Sequence, residues 1–298
     1  MTSRYDLLAI DLDGTLLDST GTVPLAHAEA VERARKAGLE VTLCTGRALA
    51  ESAEAIAAVG QRTPVVVAGG AMVCDPVTGS TLHRATMPQA MARPLVEAMH
   101  LAGHAALVYK DRELAGYDYL VVTGDEDFGL DPVTEWWFDF QDVGVRTVRS
   151  MDEDDSAEAN IRVGVCAPQL GADRVDAAVR AMVGRGELDE VSSHAFMVVT
   201  ASEKAGASEP YVIYECLTIE AHKWHGLRRL CAHLGLDASR VAAIGDQMND
   251  LPMLQHAALG VAMGNAPDEV KAVADKETAG NNDSGVAVAI DRILSGEW

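Results

Sequence analysis

Basic residues are scarce. Only 24 Lys and Arg stand against 45 Asp and Glu, a formal net charge of -21 over 298 residues. Nucleic acid and anionic membranes both call for a basic face, so neither is expected as a partner. Small phosphate ligands stay open, because a small site can be locally positive inside an acidic molecule. Cysteine is scarce as well. Cys44, Cys74, Cys166, Cys216 and Cys231 are odd in number and widely spaced, and no CxxC occurs. That speaks against a disulfide framework and a zinc site, and suits a reducing compartment. No apolar run approaches the roughly 20 residues of a membrane span. The opening MTSRYDLLAIDLDG contains no apolar signal region with a cleavage site. The expectation is a soluble, cytoplasmic protein.

What is present is apolar residue in quantity, 48% of the chain. This is enough for a large core, and at this length two domains are commoner than one. Short apolar runs alternate with helix-like stretches at both ends of the chain. First come "DLLAI", "PLAHAEAVERARKAG", "VTLCT", "ESAEAIAAVG" and "PVVVAG". Later come "KWHGLRRLCAHLG", "RVAAIGD", "DLPMLQHAA", "GVAMG", "PDEVKAVAD" and "GVAVAIDRILSG". The first helix carries Ala28, Val31 and Ala34 and ends on a basic turn and Gly38. Apolar strands alternating with helices predict an α/β core, a parallel sheet covered on both faces.

Between about residues 85 and 218 the pattern changes. "AALVYKD" and "YDYLVVTG" read as antiparallel strands with a turn near Asp111-Arg112. "IRVGVCAP", a helix over "ADRVDAAVRAMVGRG", then "FMVVTA" and "YVIYECLTI" follow, with polar loops at 150–159 and 201–210. This predicts an inserted α+β unit, giving core residues 1–84 and 219–298 around a second domain at 85–218. Trp136 and Trp137, in "TEWWFDF", are expected in the core of that domain.

Ligands of a parallel sheet bind beyond the carboxyl ends of its strands. Asp11 and Asp13 stand at one such end, Thr45, Gly46 and Arg47 at a second, and Asp246 at a third, with Asn249 and Asp250 opening the next helix. Three or more carboxylates at one edge repel unless a cation joins them, and Mg²⁺ suits a site of few carboxylates plus water. A carboxylate there can attack phosphorus, and a second one two residues on can carry the proton. The Thr45 hydroxyl, the Gly46 N–H and the Lys223 ammonium would hold phosphate oxygens. Cys44 reads as a small buried apolar residue. His222 and His225 read as local polar residues.

"DLDGTLLD", "TGR", "HKWHGL" and "GDQMNDLPML" together resemble the four motifs of the haloacid dehalogenase-like phosphatases. The likeness is greatest to the Cof-type branch, which has a large cap between the second and third motifs. "VAMGNAPDEVKAVAD" and "NNDSGVAVAI" resemble that branch's C-terminal stretch.

The resemblance implies a Rossmann-like core with a cap domain that closes over the leaving group and sets the substrate. It implies Asp11 as nucleophile and Asp13 as general acid/base, with Mg²⁺ held by Asp11, the Asp13 carbonyl and Asp246. Phosphate would be bound by Leu12, Thr45, Gly46, Lys223 and Asn249. Asp250 would orient the third ligand and Lys223, and Arg47 would contact substrate. The implied activity is hydrolysis of a small phosphomonoester, a sugar phosphate or a phosphorylated cofactor intermediate, by a monomer or homodimer. A phosphomutase and a non-catalytic sugar-phosphate-binding protein are the alternatives. Two positions depart from the branch. Gly69-Gly70-Ala71 replaces its Asn-Gly-Ala, and Trp224 replaces the glycine after the lysine.

Overall fold

A computed structural model of the chain describes residues 4–141, 143–188 and 191–298. The chain divides into two compact units, Met1–His83 with Ala221–Trp298, and Arg84–Glu220. The strands in chain order begin with β1 (Leu7–Ile10), β2 (Glu40–Leu43), β3 (Val65–Val67), β4 (Met72–Cys74) and β5 (Thr81–Arg84). Then come β6 (Ala106–Lys110), β7 (Tyr119–Val122), β8 (Val145–Val148), β9 (Asn160–Pro168), β10 (Val191–Met197) and β11 (Tyr211–Thr218). The chain returns through β12 (Val241–Gly245), β13 (Leu259–Ala262) and β14 (Lys276–Glu277).

The first unit is built on a parallel sheet of order β14-β13-β12-β1-β2. β1 is central, with Leu7 beside both Val241 and Glu40. All four of its residues are buried, as a strand covered on both faces requires. Leu7 and Ala9 meet Leu227, Leu230 and Met253 of the flanking helices, while Leu8 and Ile10 alternate to the opposite face. β3 adjoins β2 through one parallel bridge, Cys44 to Val66, and turns back into β4. That turn needs its glycines. Gly69 has φ 67°, and a Cβ on Gly70 (φ 102°) would stand 2.1 Å from the His222 carbonyl oxygen. The α/β expectation holds for this unit.

The second unit is a six-stranded sheet, β10-β11-β9-β6-β7-β8, antiparallel except for the β7–β8 pair. Helices Gln89–Leu101 and Gln169–Gly184 contribute Leu95, Met99, Val175 and Val179 to its core. The sequence reading needs three corrections here. Of "FMVVTA", only Phe196 and Met197 belong to a strand, and a helix begins at Val199 (Val199–Lys204), taking in the start of the expected loop at 201–210. A short helix, Arg112–Ala115, occupies the β6–β7 turn, capped by the Asp111 carboxylate accepting from the Glu113 N–H. Trp136 and Trp137 are half-buried, not core. Their helix, Pro132–Phe140, buries Val133 and Thr134, while Trp136 stacks on the exposed Phe140 with ring centroids 5.4 Å apart. No helix of the described residues is long and apolar enough to cross a membrane.

Candidate active site

Asp11 follows the last residue of β1 and is almost fully buried. The next five residues make one wide turn, closed by Leu16 N–H to Asp11 O at 3.1 Å and Leu17 N–H to Leu12 O at 2.9 Å. Gly14 occupies the left-handed region at φ 77°, and its bare Cα lets the turn lie against Asp246. A Cβ there would be 2.3 Å from Asp246 Oδ2. Leu12 puts its side chain into the core.

Lys223 opens the helix Lys223–Leu234 and is buried. Its Nζ donates to Asp11 Oδ1 and to Asp250 Oδ1, both at 2.5 Å. Asp250 Oδ2 accepts the main-chain N–H groups of Asp246 and Gln247, each at 2.9 Å. Asp250 therefore has both oxygens engaged, and it holds Lys223 and the Asp246 main chain together. Asp246 Oδ1 accepts from the Thr15 hydroxyl at 2.7 Å, and its Oδ2 from Gln247 Nε2 at 3.2 Å. Asp11, Asp246 and Asp250 each offer an oxygen within 4.8 Å of the others.

Three buried carboxylates against one ammonium leave two negative charges uncompensated. Burial raises the Asp11 carboxyl well above the usual carboxylate range, and the neighbouring Asp250 charge adds to this. Burial likewise pushes Asp246 up to about 6. Burial works against the Lys223 ammonium too, but Asp11 and Asp250 outweigh it and hold its pKa above the ordinary lysine value. A bound divalent cation would balance these charges. The oxygens of Asp11 and Asp246 form a hard donor set that fits Mg²⁺. Asp11 Oδ2 takes no hydrogen bond from the described residues.

The remaining expected residues fall in two places. Thr45 is buried, and its Oγ1 accepts the Arg47 N–H at 3.1 Å. Asn249 lies beside Gly46, with its Nδ2 3.8 Å from where a Cβ would be, and its Oδ1 is buried without a partner. Arg47 forks onto Asp13, with Nε to Oδ2 at 2.8 Å and Nη2 to Oδ1 at 2.6 Å. So the structure unites Asp11, Asp246, Asp250 and Lys223 by direct bonds, and makes a separate pair of Asp13 and Arg47. Burial raises the Cys44 thiol far above its ordinary value, which suits an inert core residue.

A family model described as haloacid dehalogenase-like hydrolase matches residues 8–161 and 187–290. The chain belongs to the haloacid dehalogenase-like hydrolases. Phosphatase YwpJ of Bacillus subtilis (strain 168) is 29% identical over 301 residues, covering 97% of this chain and 99% of that protein. The 5-amino-6-(5-phospho-D-ribitylamino)uracil phosphatase YwtE of the same organism is 28% identical, covering 98% and 99%. A crystal structure of a haloacid dehalogenase-like hydrolase from Bacteroides thetaiotaomicron superposes with a TM-score of 0.75 over 97% of this chain and 99% of that one. Its identity of 23% makes this a likeness of fold.

Within this haloacid dehalogenase-like hydrolase both departures from the Cof-type pattern have a structural account. Gly69 adopts a left-handed conformation, the region that Gly and Asn tolerate best, so the exchange keeps the turn. Trp224 stacks on His256, ring centroids 5.8 Å apart, and packs on the helix-side core. Sequence reasoning missed Gln247 and Asn265 as partners of Asp246, with Asn265 Nδ2 at 3.3 Å from Oδ2. Their signal was present in "GDQ" and "MGNA", but polar amides near a strand end have no distinctive spacing.

Proposed function

We propose that this protein is a Mg²⁺-dependent phosphatase acting on a small phosphomonoester through an aspartyl-phosphate. The observation that carries the reading is Lys223 bonded at once to Asp11 and Asp250, beside Asp246. A buried lysine so held is a fixed positive charge, and the carboxylate it touches stands at the end of the central strand. Asp11 and Asp246, with the Asp13 carbonyl, would hold Mg²⁺, which supplies charge neutralisation for the phosphoryl oxygens.

Asp11 attacks phosphorus, and the ester oxygen leaves with a proton from Asp13. Asp13 then takes a proton from water, whose oxygen attacks the phosphorus of the aspartyl-phosphate. Phosphate leaves and Asp11 is restored. Lys223, the Thr45 hydroxyl and the main-chain N–H groups of Leu12 and Gly46 hold the phosphoryl oxygens. Asn249, beside Gly46, would join them through its Nδ2 amide, the end of the side chain that donates. Asp250 keeps Lys223 and the Asp246 main chain in position.

Three relatives, including YwtE, are named as phosphatases of 5-amino-6-(5-phospho-D-ribitylamino)uracil. That compound is therefore the first substrate to try, beside hexose phosphates and pyridoxal phosphate. The test is release of free phosphate with Mg²⁺, at full stoichiometry from one substrate. Asp11→Asn should abolish it, since an amide is a poor nucleophile and a poor ligand. Phosphate returned to another position of the substrate would make the protein a mutase. No turnover across the panel, or an active Asp11→Asn protein, would refute the reading.

A further inference from the structure

The turn after β1 has few hydrogen bonds of its own, and three side chains complete it, one from the following helix and two from the far end of the chain. The Gly14 carbonyl accepts from Asn265 Nδ2 at 2.9 Å, the Leu17 carbonyl from Asn281 Nδ2 at 2.9 Å, and the Leu16 carbonyl bonds His27 Nδ1 at 2.9 Å. Asn265 does the most. Its Nδ2 also reaches Asp246 Oδ2 at 3.3 Å, while its Oδ1 accepts the Asn281 N–H at 3.0 Å. These contacts orient the amide without ambiguity, because the nitrogen side meets two acceptors and the oxygen side meets a donor. One amide thus joins the turn bearing Asp13, the carboxylate of Asp246 and the loop after β14.

The segment that presents Asn265 is itself tightly held. Gly264 donates its N–H to Ala279 O at 3.1 Å, and its carbonyl accepts from Lys271 Nζ at 2.7 Å. A Cβ on Gly264 would lie 2.9 Å from the Gly280 nitrogen, so the two loops meet backbone to backbone. Asn265 thus ties the Gly14 carbonyl and the Asp246 carboxylate to one side chain.

We infer that Asn265 is a positioning residue that locks Asp246 to the turn carrying Asp13, with Asn281 as its anchor. The inference rests on the phosphatase reading of this site and adds to it a residue outside the four motifs. In chemical terms, Asn265 keeps the proposed metal-binding carboxylate and the proton carrier at one spacing. Groups that orient a metal ligand typically change affinity or activity by roughly 10–100-fold when removed.

Two variants divide the contacts. Asn265→Ala removes all three. Asn265→Asp keeps the size and the acceptor for the Asn281 N–H, but sets a carboxylate oxygen against the Gly14 carbonyl and Asp246. Four quantities are read on the full chain: kcat, KM, melting temperature, and Mn²⁺ affinity without substrate, from the paramagnetic resonance signal of free Mn²⁺. We expect kcat to fall about 10–100-fold and Mn²⁺ affinity to fall about tenfold in Asn265→Ala, with larger losses in Asn265→Asp. KM should stay within about threefold, since the phosphoryl donors are untouched. Asn265 is exposed, so its loss leaves no buried cavity and the variants should melt near the wild type. Unchanged kcat and Mn²⁺ affinity would overturn the inference. So would loss of the fold in both variants, which would make Asn265 a purely structural residue. A wild type that releases no phosphate refutes the phosphatase reading alone, and the Mn²⁺ measurement still decides on Asn265.

Discussion

Arg47 holds Asp13 by two nitrogens on two oxygens, the planar match that an ammonium cannot copy. From its place in "TGR", Arg47 reads as a substrate contact. Its partner in the structure is instead the side chain proposed to carry the proton. The two views predict different kinetics. If Arg47 aims Asp13, Arg47→Lys should lower kcat on alkyl phosphates, by about tenfold for a weakened charge-assisted bond. The loss should shrink on p-nitrophenyl phosphate, whose leaving group needs no proton. Asp13→Asn should show the same pattern more deeply, roughly 10²–10⁴-fold on alkyl phosphates. A raised KM at unchanged kcat in Arg47→Lys would mean that Arg47 serves the substrate, not Asp13.

Among elements, the turn after β1 depends most on the rest of the chain. His27, in the helix Leu25–Lys36, is buried beneath it, with Nδ1 on the Leu16 carbonyl and a buried Nε2 that has no partner. Burial lowers its pKa below the ordinary 6.5, and the bond to Leu16 does not restore it. The unfolded chain therefore takes up a proton at a higher pH than the folded one. The stability His27 contributes is present above pH 6.5 and is lost as pH falls toward the folded value. His27→Gln cannot titrate. The stability gap between wild type and this variant should narrow between pH 7.5 and 5.5, by at most about 1.4 kcal/mol per pH unit. A constant gap in denaturant melts across that range would show that His27 does not titrate in this way.

His27, Asn265 and Asn281 also mark where sequence reading stops. Asp11, Asp13, Thr45 and Asp246 were legible because each closes an apolar run, and a strand covered on both faces has few other reasons to end in a carboxylate. The three clamping side chains bond main-chain carbonyls, and a carbonyl leaves no trace in the identity of its residue. The same contrast holds for secondary structure. β1, β12 and β13 are wholly buried and read as apolar runs. β8 is half exposed and half polar, so nothing distinguished "VRTV" from a loop. The helix Val199–Lys204 opens on β-branched residues, whose weak preference for strand yields to its surroundings.

At the scale of the whole molecule, the chain holds two units with separate hydrophobic cores, one around Leu7, Leu227 and Val241, the other around Leu95, Val163 and Val175. Two cores allow two unfolding transitions, and a single melting temperature would then average unlike events. The buried cluster of Asp11, Asp246 and Asp250 lies in the unit formed by Met1–His83 and Ala221–Trp298. A cation that binds them stabilises that unit's native state by mass action, about 2.7 kcal/mol at a concentration a hundred times its Kd. At roughly 2–4 °C per kcal/mol, this is a rise of about 5–10 °C. Differential scanning calorimetry should therefore show one transition that moves up with Mg²⁺ and returns on adding a chelator, and one that stays. Asp246→Asn should remove the shift from the first and leave the second where it was. If both transitions moved equally with Mg²⁺, or if Asp246→Asn kept the full shift, the cation would be binding elsewhere. The three carboxylates would then have only Lys223 and their hydrogen bonds to keep them folded.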